Sequence, residues 1–202
     1  MPIISETFAA YDHANVAIAL DACLEADDRS YDLIALSGQQ RHYGSLSDLI
    51  EMGEQTGVGL GSVDHVNLAV GPEDTMAAVQ FGIYLVRDGG VPLVLLLRGA
   101  QEQHGPEEGV TVEILSAQQD LARSLLAGVR RLMVELNIFR GQVLSFGQSR
   151  MGFMGAGPVI FHARPNVGRE ELYSRPACWS RWSGRSSGSA PTAIGCGPAA
   201  ST

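Results

Sequence analysis

The chain has 202 residues, 45% of them hydrophobic but only 6% aromatic, so its composition suits a single core built from aliphatic side chains. With no apolar run near the roughly 20 residues of a membrane span and no signal-peptide pattern at the N-terminus, we expect a soluble, cytoplasmic protein without a membrane partner. All 22 acidic but only 11 of the 14 basic residues precede Leu172, and the resulting net charge of −11 argues against a nucleic-acid-binding surface.

The first 60 residues are predicted to form a helical N-terminal subregion. A helix is expected from Ser5, as N-cap, to about Ala26, because its apolar residues recur at three-to-four spacing. Tyr31–Leu36 fits either a short strand or a turn of helix. A second short helix is expected to begin at Ser45 and to end near Gly53. The glycines that follow are typical of a linker and stand at Gly57, Gly59 and Gly61.

Residues 61–172 are predicted to form an α/β domain, beginning with an alternating strand over Val63–Val70. The stretch from Gly71 to Gly89 starts with proline and two acidic residues, which predicts a helix. Val91–Leu97 is continuously aliphatic and is expected to lie in the middle of a sheet covered on both faces. Val110–Leu115 is predicted to be another strand.

A long helix is predicted next, because Ser116–Gln119 fits a capping box. One apolar stripe follows, consisting of Leu121, Leu125, Val129, Leu132, Met133 and Leu136. Gly141–Phe146 and Pro158–Ala163 are predicted to be paired strands that flank a glycine-rich loop. This order of elements predicts an α/β fold, with a mixed β-sheet and helices packed on one face.

Chemical signals in the sequence are weak. The five histidines (His13, His42, His65, His104 and His162) lack the spacing of metal ligands, and we assign no metal, cofactor or catalytic residue. Cys23 lies on an apolar stripe typical of a buried, inert thiol. Cys178 and Cys196 could form a disulfide by number alone, but we do not expect one, because the chain is expected to be cytosolic.

Three further sites are open to two interpretations each. Asp64, His65 and Asn67 lie on an alternating strand, where we expect them to face solvent rather than to act in catalysis. The loop between Gly152 and Gly157 superficially resembles nucleotide loops, but a hairpin connection suits it better because the chain has no lysine for a Walker A phosphate loop. His162 and Arg164 leave a strand together, either to contact another module or as a surface pair without a role.

Residues 63–172 resemble a known family. The strings VNLAVGPEDTMAAVQFGIYLV, RRLMVELNIFRGQVLSFG and VIFHARPNVGREEL are similar to the N-terminal region of a bacterial AAA-family ATPase. The resemblance implies that the ATPase module, with its ATP and Mg²⁺, belongs downstream of this region and is absent from this chain. It also implies a protein substrate or partner and a homo-oligomeric full-length protein. No ATPase residue is carried onto this chain.

Residues 173–202 change character and contain Trp179, Trp182 and three arginines but no acidic residue. When they are back-translated from Arg175 with G or C in third positions and read two nucleotides out of register, they give PPGVLEPVERQVVGVGAHRDRLRA. That segment resembles the linker between such a domain and its ATPase core. We therefore expect a disordered, out-of-frame tail with exposed tryptophans, and a natural Ser/Gly/Pro linker is the alternative.

Two functions from different classes follow from the sequence. The first is a non-catalytic N-terminal domain of an AAA-family ATPase, used for substrate or partner recognition or for assembly. The second is a free-standing α/β small-molecule enzyme or ligand-binding module that uses Asp64, His65 or Cys23, and it predicts a deep pocket with convergent polar groups.

Overall fold

A computed structural model describes residues 1–26, 28–38, 44–56, 59–100, 109–148 and 156–164. Residues 1–164 form one compact unit, and residues 165–202 lie outside the described residues. The predictions for the tail, its tryptophans and its cysteines, and for the boundary after Leu172, therefore fall outside the described part of the chain. The same holds for His42, His104 and most of the Gly152–Gly157 loop.

The described residues contain three helices and nine strands. The helices are α1 (His13–Leu24), α2 (Leu46–Thr56) and α3 (Gln119–Glu135). The strands are β1 (Ile3–Phe8), β2 (Arg29–Leu36), β3 (Leu60–Gly61), β4 (Asp64–Ala69), β5 (Thr75–Asp88), β6 (Val91–Arg98), β7 (Val110–Ser116), β8 (Val143–Gln148) and β9 (Ala156–His162). Within the described ranges, no helix is long and apolar enough to cross a membrane.

Seven strands form the main sheet in the order β1-β7-β6-β5-β2-β3, and β4 pairs with the N-terminal half of β5. The α/β fold class is confirmed. All pairings in this sheet are antiparallel rather than mixed in direction, because consecutive strands are joined mainly by hairpins. Strands β8 and β9 form a separate antiparallel pair.

Helices α1 and α3 pack together on one face of the main sheet, as predicted. Their buried residues, including Leu20 and Leu125, meet Tyr84, Leu95 and Ile114 from the central strands. Alternation along each strand directs these side chains to one face and their neighbours to the other. Strand β6 lies in the middle and buries residues on both faces, which confirms the prediction from its aliphatic sequence.

Helix α2 differs from the prediction because it covers the opposite face of the sheet. Leu46 and Leu49 pack there with residues that include Phe81 and Leu96. The helix begins as predicted: the Ser45 and Asp48 side chains each accept the other's backbone N–H, at 3.2 and 2.8 Å. The Leu46 N–H also donates to Oε2 of Glu113, which lies in the sheet beneath the helix, at 2.7 Å.

The predicted helical subregion over residues 1–60 is wrong, because its two strands belong to the main sheet. Strand β1 pairs with β7 over six residues, and β2 pairs with β5. The helix expected from Ser5 therefore begins only at His13. The apolar spacing that predicted this helix combined residues of two different elements. Val16, Leu20 and the later apolar residues belong to α1, whereas Phe8 is the last residue of β1.

The helix predicted after Gly71 is also wrong, since this stretch forms the long strand β5. Phe81 and Ile83 are buried on one face and Tyr84 and Val86 on the other, so the run is apolar on both sides. Gly89 and Gly90 have φ values of +55° and +85°, which identify a type I′ turn between β5 and β6. Pairing with three neighbouring strands outweighs the local helical signals.

The remaining predictions for this domain are largely confirmed. Strands β4 and β7 match the expected ranges, and β8 and β9 form the expected hairpin. In α3, Leu125 and Val129 are buried, whereas Leu136 is exposed just after the helix ends. The capping box is not formed, because the Ser116 hydroxyl accepts the Gln118 N–H two residues on, and Gln118 is the N-cap.

Candidate functional site

Cys23, which was predicted to be a buried and inert thiol, lies near the end of α1, beside Arg29 at the start of β2. Arg29 Nη1 donates to the Cys23 carbonyl at 2.6 Å and lies 3.4 Å from its Sγ. Burial raises the pKa of the Cys23 thiol, and this effect exceeds the lowering by the Arg29 guanidinium. A buried thiol with a raised pKa is a poor nucleophile, so this geometry supports the prediction of an inert cysteine.

Arg29 is itself held by Asp88 in an ion pair that closes this end of the sheet. Its Nε donates to Asp88 Oδ2 at 2.9 Å, and the two residues face each other directly across β2 and β5. The Asp88 side chain is only 8% exposed, which makes it one of the few buried acids in the described residues. The guanidinium is satisfied on both sides, so we assign this cluster a structural role.

His13, the first residue of α1, is buried at the opposite end of the sheet. Its Nε2 donates to the Val79 carbonyl at 3.0 Å. Burial lowers the pKa of His13, and the hydrogen bond to Val79 opposes this effect only partly. A Cβ at Gly99 would overlap the imidazole and lie 2.6 Å from Gln80 Oε1, so glycine is needed for this close approach.

The β8–β9 hairpin packs one face, its inner face, on the body of the domain through the buried Phe161, although Phe146 on that face is 50% exposed. This face consists of Leu144, Phe146, Val159 and Phe161, because directly opposed residues of an antiparallel pair share a face. The ring of Phe161 lies 6.0 Å from that of Phe139, and the ring of Phe146 meets Tyr11 edge-on at 5.2 Å. Asn15 steadies the connection before the hairpin, since its Oδ1 accepts the Ile138 N–H at 3.0 Å.

The outer face of the hairpin, defined by Val143, Ser145, Ile160 and His162, is open to solvent. Val143 and Ile160 are 41% and 46% exposed. Ser145 and His162 are diagonal neighbours across the pair, and the Ser145 hydroxyl is 2.7 Å from His162 Nε2. Arg164 follows and donates to the Gly141 carbonyl at the base of the hairpin. We call this set the hairpin outer face.

The residues proposed for a small-molecule site are not brought together. His65 pairs with Val79 near one end of β5, whereas Arg29, next to Cys23, pairs with Asp88 at the other end. Val79 and Asp88 are nine positions apart, which is about 30 Å in a strand. His65 and Asn67 are exposed as predicted, and Asp64 is half-buried. Within the described ranges, no group of three His, Cys, Asp or Glu residues is placed to hold a metal ion.

Sequence reasoning missed three polar arrangements that only the fold assembles. These are the Arg29–Asp88 pair, the contact of His13 with Val79 and the Ser145–His162 pair. The last was accessible in part, because Ser145 and His162 lie on the two strands that were predicted to pair, but only the observed register places them diagonally. The other two join residues 59 and 66 positions apart, and no local pattern marks them.

Comparisons with known proteins add no relative: no family model, no curated protein and no solved structure matches the chain. The resemblance to the N-terminal region of an AAA-family ATPase therefore rests on its sequence motifs alone.

Proposed function

We propose that this chain is a non-catalytic, cytoplasmic N-terminal domain of an AAA-family ATPase, and that it binds a protein partner or substrate. ATP and Mg²⁺ would be bound by the ATPase module of the family, and no residue of this chain is assigned to them. The full-length protein would form a homo-oligomer, as AAA-family ATPases do. The proposal involves neither nucleic acid nor membrane.

The hairpin outer face is the observation that carries this proposal. The strings RGQVLSFG and FHARP, which are the sharpest part of the resemblance, supply residues of both strands of this hairpin. It pairs with no strand of the main sheet and presents Val143 and Ile160 beside a polar Ser145–His162 pair. A contiguous exposed apolar patch rimmed by polar residues is one feature that marks surfaces contacting other proteins.

Binding of a chemically unfolded, fluorescently labelled model protein tests the proposal by anisotropy. We expect the purified chain to bind the probe and the double variant Val143→Ser/Ile160→Ser to bind it at least about tenfold more weakly. Leu85→Ser is the matched control, because Leu85 is a similarly exposed aliphatic residue, 42%, on the main sheet rather than on the hairpin. Circular dichroism establishes that all three proteins fold.

Three outcomes would contradict the proposal. The first is binding that the hairpin variant and the Leu85 control weaken equally, and the second is no binding of any protein probe. The third is ATP hydrolysis by the rigorously purified chain that depends on residues 63–172, because the proposal places all nucleotide chemistry outside this chain.

A further inference from the structure

Among the described residues, strand β1 forms an open edge of the main sheet. It lies at the end of the strand order and pairs with β7 on one side only. The pairing runs from Ile3↔Leu115 to Phe8↔Val110 without a register shift. In such a strand, the N–H and C=O groups of alternate residues point away from the sheet and are able to pair with another strand.

The β1 edge carries only one of the usual protections against pairing. Edge strands are commonly blocked by proline, lysine, a bulge or an inward-pointing charge. Between Ile3 and Phe8 there is no proline, no basic residue and no bulge. The one inward-pointing charge is Glu6, and it is paired within the chain, because its Oε1 accepts a 2.6 Å hydrogen bond from Arg130 Nε of α3.

We propose that two copies of this chain associate through β1, which pairs antiparallel with β1 of the second copy about a two-fold axis through Ser5. Such an axis is perpendicular to the sheet, so two residues that are directly opposite each other in the new pair must have side chains on the same side of the joined sheet. Two registers satisfy this condition and keep five of the six residues paired. One is centred on Ser5 and the other on Glu6.

Charge selects the register centred on Ser5. Centring on Glu6 would place the two carboxylates directly opposite each other, and like charges in that position are destabilising. Centring on Ser5 places each Glu6 opposite Ile4 and each Ile3 opposite Thr7. The β1 edge therefore pairs best with a strand that places an uncharged residue opposite Glu6. A second copy of β1 meets this requirement, because it places Ile4 there. The pairing joins the two sheets into one continuous sheet.

Cysteine cross-linking in the full-length chain tests both the contact and its register. The two natural cysteines outside the described residues are first replaced by Cys178→Ser and Cys196→Ser, and Cys23 is buried. In this background, Ser5→Cys places two thiols directly opposite each other, with Cβ atoms about 5 Å apart, close to what a disulfide needs. Thr7→Cys is the matched control, because the two thiols would lie four residues, about 13 Å, apart along the paired strands. Ser5 and Thr7 are both exposed.

We expect Ser5→Cys to form a disulfide-linked dimer under mild oxidation and Thr7→Cys to remain monomeric. In sedimentation over about a hundredfold range of concentration, the unmodified chain should show a monomer–dimer equilibrium, which Ser5→Lys weakens at least about tenfold by opposing two positive charges. A chain that stays monomeric throughout this range, equal cross-linking of both cysteine variants, or a dimer unaffected by Ser5→Lys would overturn the proposal. None of these results bears on the hairpin outer face, so the proposed function is tested separately.

Discussion

Arg29 and Asp88 form an ion pair across β2 and β5 at 2.9 Å, although 59 positions separate them in the sequence. The same guanidinium donates to the Cys23 carbonyl at the end of α1. One side chain thus joins the helix layer to the hairpin end of the sheet. This arrangement gives the pair a larger effect on stability than an exposed ion pair has.

Asp88→Ala is expected to lower the free energy of unfolding by about 1–3 kcal/mol, because it leaves the half-buried Arg29 without its acceptor. Urea denaturation measures the change. Asp120→Ala is the matched control, since it removes an ion pair with Arg123 in which both side chains are largely exposed. Asp120 also lies in the first turn of α3, so the control should shift the midpoint slightly, by less than Asp88→Ala does. Equal shifts for the two variants would show that the Asp88 pair is as solvated as the Asp120 pair.

His13 is expected to make stability depend on pH below about 6.5. Its pKa in the folded protein lies below the ordinary value of 6.5, so the unfolded chain takes up the proton at a higher pH than the folded chain. The free energy of unfolding should therefore fall as the pH drops below about 6.5 and level off above it, with a slope of at most about 1.4 kcal/mol per pH unit.

Replacing the imidazole isolates this contribution from that of the acidic residues. His13→Gln keeps a side-chain N–H able to reach the Val79 carbonyl but does not titrate, so the pH dependence below about 6.5 should flatten. His65→Gln changes an exposed histidine on β4 and serves as the control. Unfolding curves at several pH values give the comparison. A slope retained in His13→Gln would show that another group causes it.

The turn between β5 and β6 is expected to distinguish sharply between substitutions at its two glycines. Gly89→Asn gives the Asn-Gly pair that type I′ turns favour, so it should retain stability. Gly90→Val places a β-branched residue at a φ of +85° and should cost about 1–3 kcal/mol. Thermal unfolding of the two variants provides the test. Similar losses for both would mean that the turn does not have the type I′ conformation.

Leu125 on α3 is expected to be central to the core. It is 1% exposed, and Leu125→Ala should lower the free energy of unfolding by about 2–5 kcal/mol. Val134→Ala on the same helix is the control, because Val134 is 60% exposed. Denaturant midpoints of the two variants give the comparison. An unchanged midpoint for Leu125→Ala would mean that the apolar stripe of α3 is exposed to solvent.

The elements that sequence periodicity predicted well are those with only one interpretation. Helix α3 carries an apolar stripe on one side, and β6 is too short and too uniformly aliphatic to be an amphipathic helix. Strand β5 was predicted wrongly because both of its faces are buried. Its apolar residues therefore follow neither the period of a half-buried strand nor that of an amphipathic helix. Its neighbours in the sheet decide its structure, and those neighbours lie far away in the sequence.

The candidate site divides in the same way. The exposure of His65 and the burial of Cys23 follow from local alternation and helical spacing, and both predictions were confirmed. The environment of His13 depends on Val79 and Gly99, which reach it only once β5 and β6 have paired. No spacing within α1 indicates that its first residue is buried.

The pairing of β1 with β7 also constrains the order in which the domain is completed during synthesis. Strand β1 leaves the ribosome more than a hundred residues before its partner, because it pairs with Val110–Ser116. At about 5–20 residues per second, the interval is on the order of 5–20 s. Throughout that interval both edges of β1 are open, so the nascent chain depends on the late arrival of β7 to shield a strand that was made first.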